Sequence, residues 1–219
     1  MSDWGDYPLF SRAEIDALNA QDVITFNYVQ SQEIPGSAAN GRATLMDTNM
    51  PTASQLPLRH QMVIFSVQMR FDEINTDSNG NSLSQANIAG AVDQGLGINK
   101  WNVFTSNVYF VLLVENVKPY TEGPLSQYPH GGGLYYNQTS MVGITQAYQP
   151  QNGEPGTHAC RRLAMPVHIG ALEQFQGLLK YPRGGLLAAF VAAGMADEDA
   201  VGKLGVNIGL FGPRQRPIG

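Results

Sequence analysis

Hydrophobic and polar residues alternate most regularly over 62–71, where Val63, Phe65, Val67, Met69 and Phe71 fall on one side and Ser66, Gln68 and Arg70 on the other. A period of two marks a half-buried strand, so the first set is expected to face the core. Over 204–211, Leu204, Val206, Ile208 and Leu210 alternate with Gly205, Asn207 and Gly209, leaving a nearly bare second face that a neighbouring group can approach closely. Over 103–117, Val108, Phe110, Leu112 and Val114 share one face, while Tyr109, Val111 and Leu113 make the other apolar too. That predicts a central or interface strand. Branched and aromatic residues over 23–29 predict another, and 43–46, 134–148, 163–169 and 185–192 are further candidates.

Helical signals are fewer. In Phe10-Ser11-Arg12-Ala13-Glu14-Ile15, Ser11 is placed to cap the amide of Glu14, Glu14 to reach back, and Phe10 to staple onto Ile15, which predicts a short helix over about 12–20. Residues 172–179 and 84–95 are short helix candidates, the second ending near Gly95 and Gly97. Between the elements lie turn-rich stretches at 34–41, 75–82, 119–133 and 149–157. The expected fold is all-β, a β-sandwich or jelly roll with one short N-terminal helix and one or two short inserted helices. Three parts follow: an N-terminal arm and helix over 1–21, a sandwich domain over 22–212, and a Pro/Arg tail over 213–219. Proline at 213 and 217 is expected to keep the tail extended and out of any sheet centre.

Composition narrows the function classes. With 219 residues and 43% hydrophobic content the chain has material for one real core. Only 14% of residues are charged, against about 25% in a typical soluble domain. Neutral amides are as numerous as charged side chains, so the polar surface is mostly uncharged. A net charge of -5 with scattered basic residues lacks the positive stripe that duplex binding requires, and no direct duplex nucleic-acid contact is expected. The longest apolar run, 186–195, is too short for a span of about 20 residues and stops at Asp197-Glu198-Asp199. The start Met1-Ser2-Asp3-Trp4-Gly5-Asp6 is acidic where an export signal is basic and then apolar, so use without export is expected. Cys160, alone, cannot staple the chain.

Candidate chemistry is fragmentary. Pro129-His130-Gly131-Gly132-Gly133 resembles the oxyanion loop of lipases and esterases, but no G-x-S-x-G elbow accompanies it. Asn75-Thr76-Asp77-Ser78-Asn79-Gly80 opens like a calcium loop, yet its twelfth position is Ala86 where a bidentate Glu belongs. His158 and Cys160 stand two apart without the further ligands of a zinc set, and His60 and His168 are isolated. Gly202-Lys203 ends like a phosphate loop, but Leu204 follows where Ser or Thr must hold magnesium. No catalytic residue, metal ligand or cofactor is assigned.

What remains is an interface signature. Arginine outnumbers lysine, and nine Tyr, nine Phe and two Trp supply large anchors. A charge-poor, Gly/Pro/Asn/Gln-rich β chain with one cysteine, the aromatic leader Trp4, Tyr7 and Phe10, and the tail Pro213-Arg214-Gln215-Arg216-Pro217 resembles bacteriophage and viral coat proteins over its whole length. Single jelly-roll capsid proteins are of similar length. The resemblance implies a non-enzymatic virion subunit, coat or decoration, made in the host cytoplasm and resident in the particle. Its partners would be copies of itself in a large symmetric assembly and other virion proteins, with membrane contact left open. Trp4, Tyr7, Phe10, Arg214 and Arg216 are the expected subunit-interface residues, carried on terminal arms. The negative net charge departs from coats whose basic arms neutralise a genome. The alternative is a ligand- or glycan-binding sandwich of a phage tail or baseplate, stacking its ligand on Tyr120, Tyr128, Tyr135, Tyr136 or Tyr148.

Overall fold

The computed structural model describes residues 2–16, 22–36, 42–74, 103–115, 118–128, 135–139, 147–151, 160–181, 186, 189 and 203–217. The strands are β1 (Ser2–Asp6), β2 (Leu9–Asp16), β3 (Val23–Thr25), β4 (Gln61–Ile74), β5 (Tyr109–Val114), β6 (Lys118–Pro124), β7 (Tyr135–Thr139), β8 (Ala147–Gln151), β9 (Arg161–Ile169), β10 (Phe175–Lys180), β11 (Lys203–Phe211) and β12 (Pro213–Pro217). The large sheet runs β1-β12-β4-β11-β2 with β9 on the other side of β4, and the smaller runs β3-β10-β5-β6. All pairs are antiparallel, and β7 and β8 form a separate hairpin.

The pairing is nested. Ser2 stands opposite Pro217 and Asp16 opposite Lys203, in one register on both sides of the Tyr7-Pro8 interruption, so β1 with β2 forms a single broken strand along β12 with β11. Moving inward along the chain, β3 pairs β10, β4 pairs β9 and β5 pairs β6. Each early strand lies beside its late counterpart, and consecutive strands mostly switch sheets.

Both sheets feed one core. Leu9, Ala13, Ile15, Ile64, Val67, Met69, Val206, Ile208 and Leu210 from the large sheet pack in the same buried cluster as Phe110, Leu112, Val114, Phe175 and Leu179 from the small one. Each such side chain contributes about 1.5–3 kcal/mol on burial. The Arg12–Asp47 ion pair, at 3.8 Å and partly exposed, contributes about 0–1 kcal/mol. Apolar burial therefore holds this fold. Loop 42–50 seals the free edge of β2: the Arg12 amide donates to the Asp47 carbonyl at 2.8 Å, and the Phe10 amide to Asn49 Oδ1 at 2.8 Å. Loop 54–56 closes the end between the sheets, where Phe175 donates to the Ser54 carbonyl and Leu172 to that of Leu56, a fully buried plug.

Several expectations change. The expected helix from residue 12 is the strand β2: Leu9, Ser11, Ala13 and Ile15 are buried, while Phe10, Arg12 and Glu14 are only partly so, a period of two. Ser11 Oγ accepts the Phe26 amide at 3.0 Å instead of capping Glu14. The expected helix over 172–179 is a turn, with Leu172 at φ 62, followed by β10, which pairs on both sides. Residues 103–107 are helical and the strand begins only at Tyr109; 43–46 is mostly turn. Residues 84–95 and most of 185–192 lie outside the described residues. The tail is no free arm: β12 lies between β1 and β4. Its prolines are compatible with this because only Arg214 and Gln215, between them, are also matched to β4.

Gly212 is the pivot between β11 and β12. Its φ is 154, and a Cβ there would lie 1.9 Å from the Val63 carbonyl oxygen. Gly212→Ala should therefore lower stability by roughly 2 kcal/mol or more. Urea unfolding would measure this; an unchanged midpoint would mean that the β4–β12 contact is looser than described.

Candidate functional site

Four neighbouring strands of the large sheet are irregular at one level. The β1/β2 strand breaks at Tyr7-Pro8, and its partner turns at Gly212. On β4, Met62 matches Arg214 and Ser66 matches Phe211, so three β4 residues face two across from them. Against β9, the register shifts between Ile64 and Ser66, and residues 163–166 bow out, leaving Met165 80% exposed. Such bulges re-aim side chains.

On β4 this reverses the face expected from alternation over 62–65 only, Val67 and Met69 facing the core as expected. Met62, Ile64, Val67 and Met69 are buried, whereas Phe65 is 48% exposed. Phe65 and Ser66 together line a hollow of about 300 Å³ on the outer face, with Asp6, Phe211, Gly212 and Pro213. Phe211 also borders a second hollow of about 200 Å³, whose walls include Phe10, Met46, Gln68, Arg70 and Gly209. The Phe211 ring lies over Gly209, where a Cβ would come within 2.5 Å of it. The bare face of β11 is thus roofed in part by its own chain, and the two hollows form one crease with aromatic walls.

The expected interface residues divide between the two faces. Trp4, 49% exposed on β1, and Phe10, beside the second hollow, belong to the outer face. Arg214 and Arg216 sit two apart on β12, and Arg214, matched to buried Met62, points inward and is 3% exposed. Tyr7 carries the Arg216 guanidinium 3.9 Å from its ring centroid, over the space left by Gly5. Arg214 Nη2 lies 3.3 Å from His60 Nδ1. Because a guanidinium only donates, Nδ1 accepts and His60 is neutral with its proton on Nε2. Burial, then Arg214 and Arg216, hold His60 below its ordinary 6.5. Burial and Arg216 pull Arg214 down to about 10, so it stays charged at neutral pH. His60 and the outward turn of Phe65 were not visible in the sequence as site features. The one available signal was the near-continuous apolar run Met62-Val63-Ile64-Phe65, which strict alternation does not explain.

The remaining candidates fall as follows. Tyr128 is fully buried, edge-on to Phe110 at 5.2 Å, bonded to Thr121 at 3.0 Å, with the Arg161 guanidinium 4.9 Å from its ring centroid. It is a core residue, and burial raises its hydroxyl pKa. Tyr120 is 39% exposed beneath Lys118. His168 is exposed on β9 and Cys160 partly buried before it. His130, His158, the 75–80 loop and the acidic run 197–199 lie outside the described residues, as do the side chains of Tyr135, Tyr136 and Tyr148. Among the described residues, no three His, Cys, Asp or Glu side chains converge as a metal site, and no helix is long and apolar enough to cross a membrane. Comparison with protein-family models, with curated proteins and with solved structures finds no match.

The His60–Arg214 bond predicts a pH dependence. A folded-state pKa below the unfolded value means that the unfolded chain binds the proton more readily. The stabilising contribution is full above about 6.5 and is lost as pH falls through the lowered folded value. In His60→Gln the drop in thermal midpoint between pH 7.5 and 5.5 should be smaller than in the wild type; equal drops would assign that loss to other groups.

Proposed function

We propose that this chain is a jelly-roll virion structural protein, a coat or decoration subunit, that associates with copies of itself through the outer face of its large sheet. The jelly-roll reading is supported by the nested strand order. With β1/β2 and β11/β12 each counted as one strand and the β7–β8 hairpin set aside, the sheets read first-last-third-sixth and second-seventh-fourth-fifth. A long antiparallel ribbon rolled up on itself produces this order, which recurs in viral capsid and lectin domains. Fold alone does not fix function.

The observation that carries the functional reading is the crease. The outer face of a sandwich sheet ordinarily meets water with charged residues. Here Phe65 is about half-exposed and Met46 largely exposed, lining the hollows with Phe10 and Phe211, and Trp4 is about half-exposed on the same face of β1, in a chain with only 14% charged residues. Aromatic anchors with few charges are what protein interfaces select. A contact of the usual size buries about 800 Å² per partner. Repeated under closed symmetry, contacts of modest strength sum by avidity into a stable shell. The same large sheet holds both chain termini, so assembly contacts and terminal segments are mechanically one unit. The glycan-binding reading loses Tyr128 as a stacking platform, because that ring is enclosed.

Purified protein should form large particles by light scattering and negative-stain imaging. Phe65→Asp should remain a folded monomer with a thermal midpoint near the wild type, because the side chain is already half in water, yet assemble at least tenfold less well. A wild type that stays monomeric at high concentration, or a variant that assembles normally, would overturn the proposal.

A further inference from the structure

The inner face of the β1–β12 pair carries a second feature, independent of the assembly reading. Arg214 is 3% exposed and its Nε has no hydrogen-bond partner. Its recorded contact is the 3.3 Å approach of Nη2 to His60 Nδ1, and no carboxylate among the described residues pairs with it. A buried guanidinium presents five donors and no acceptor, and removing it from water without an anion is costly unless something supplies the missing acceptors. Arg216, two residues on, is exposed, and its guanidinium is fixed against the Tyr7 ring. Asp3 stands opposite Arg216 in the strand register.

We propose that Arg214, Arg216 and His60 form a binding site for one oxyanion, a carboxylate or a phosphate group. Planar guanidinium forks match both geometries through paired N–H donors, and two of them on one strand face can hold one anion between them. The partly exposed His60 and the exposed Arg216 mark the open side; Arg214 closes the inner side. His60 Nε2–H, left free when Nδ1 accepts from Arg214, is a further donor to the same anion. Tyr7 acts as a positioning residue, holding Arg216 at the mouth.

The test uses the full-length protein with three salts at matched ionic strength: inorganic phosphate, acetate and chloride. At ten times its dissociation constant, a bound oxyanion should raise the thermal midpoint by about 3–5 °C over chloride. It should also shift the His60 ring resonances saturably. Both effects should be lost in Arg216→Gln and weakened in Arg214→Lys, which keeps the charge but lacks Nε. If Arg214→Lys does not fold, Arg216→Gln alone decides. A response to phosphate, to acetate or to both supports the site and tells which oxyanion it prefers. No saturable shift with either, or an undiminished response in Arg216→Gln, overturns it.

Discussion

The fold depends on the antiparallel pairing of its two chain ends. β11 lies between β2 and β4, and its Val206, Ile208 and Leu210 are fully buried. The N-terminal strand closes over it in a register that holds from Ser2–Pro217 to Asp16–Lys203. These contacts join residues at opposite ends of the sequence, so their loop-closure entropy is large and must be offset by the shared apolar core rather than by local propensity. The inner strand pairs, from β3–β10 through β4–β9 to β5–β6, close progressively smaller loops. The nested topology and the stability of the termini are therefore one fact.

The crease lies along that pairing: the irregularities on all four strands fall at one level instead of being scattered. Concentrating them turns one large aromatic residue, Phe65, out of the core. The face that results combines a defined hollow with exposed aromatic surface. The inner face at the same end is different in kind: beside the buried core residue Met62, the β1–β12 end brings together Tyr7, Arg214, Arg216 and His60. One strand pair thus carries an apolar surface on one side and a cationic one on the other.

Strands with strong alternation were legible in the sequence. β11 appears as the residue pattern indicates; of the strand expected over 103–117 only Tyr109–Val114 is β, and Val111, on its second face, is buried as its apolar neighbours suggest. Errors arose where a local motif and a weak alternation competed. Ser11 and Glu14 fit a helix cap, but Ser11 and Ala13 are inward strand residues too small to register as hydrophobic, and the tertiary bond to Phe26 decides the outcome. The helix expected over 172–179 gives way to a turn and to pairing with β3 and β5. The crease was not legible, because a bulge is set by the register of neighbouring strands and leaves no fixed mark in one segment.

The tail shows how such a misreading bears on function. Flanking prolines argue against 213–217 at a sheet's centre, and that inference holds only for residues hydrogen-bonded on both sides. Pro213 occupies the level of the crease and Pro217 lies beyond the start of β4, so neither is matched to that strand. Between them, Arg214 is carried into the interior by the same pairing that orders the chain end. A charge buried there with no carboxylate paired to it among the described residues costs free energy that a well-packed apolar side chain would not. Its place beside His60 and Arg216 is the geometry from which the proposed oxyanion site is argued.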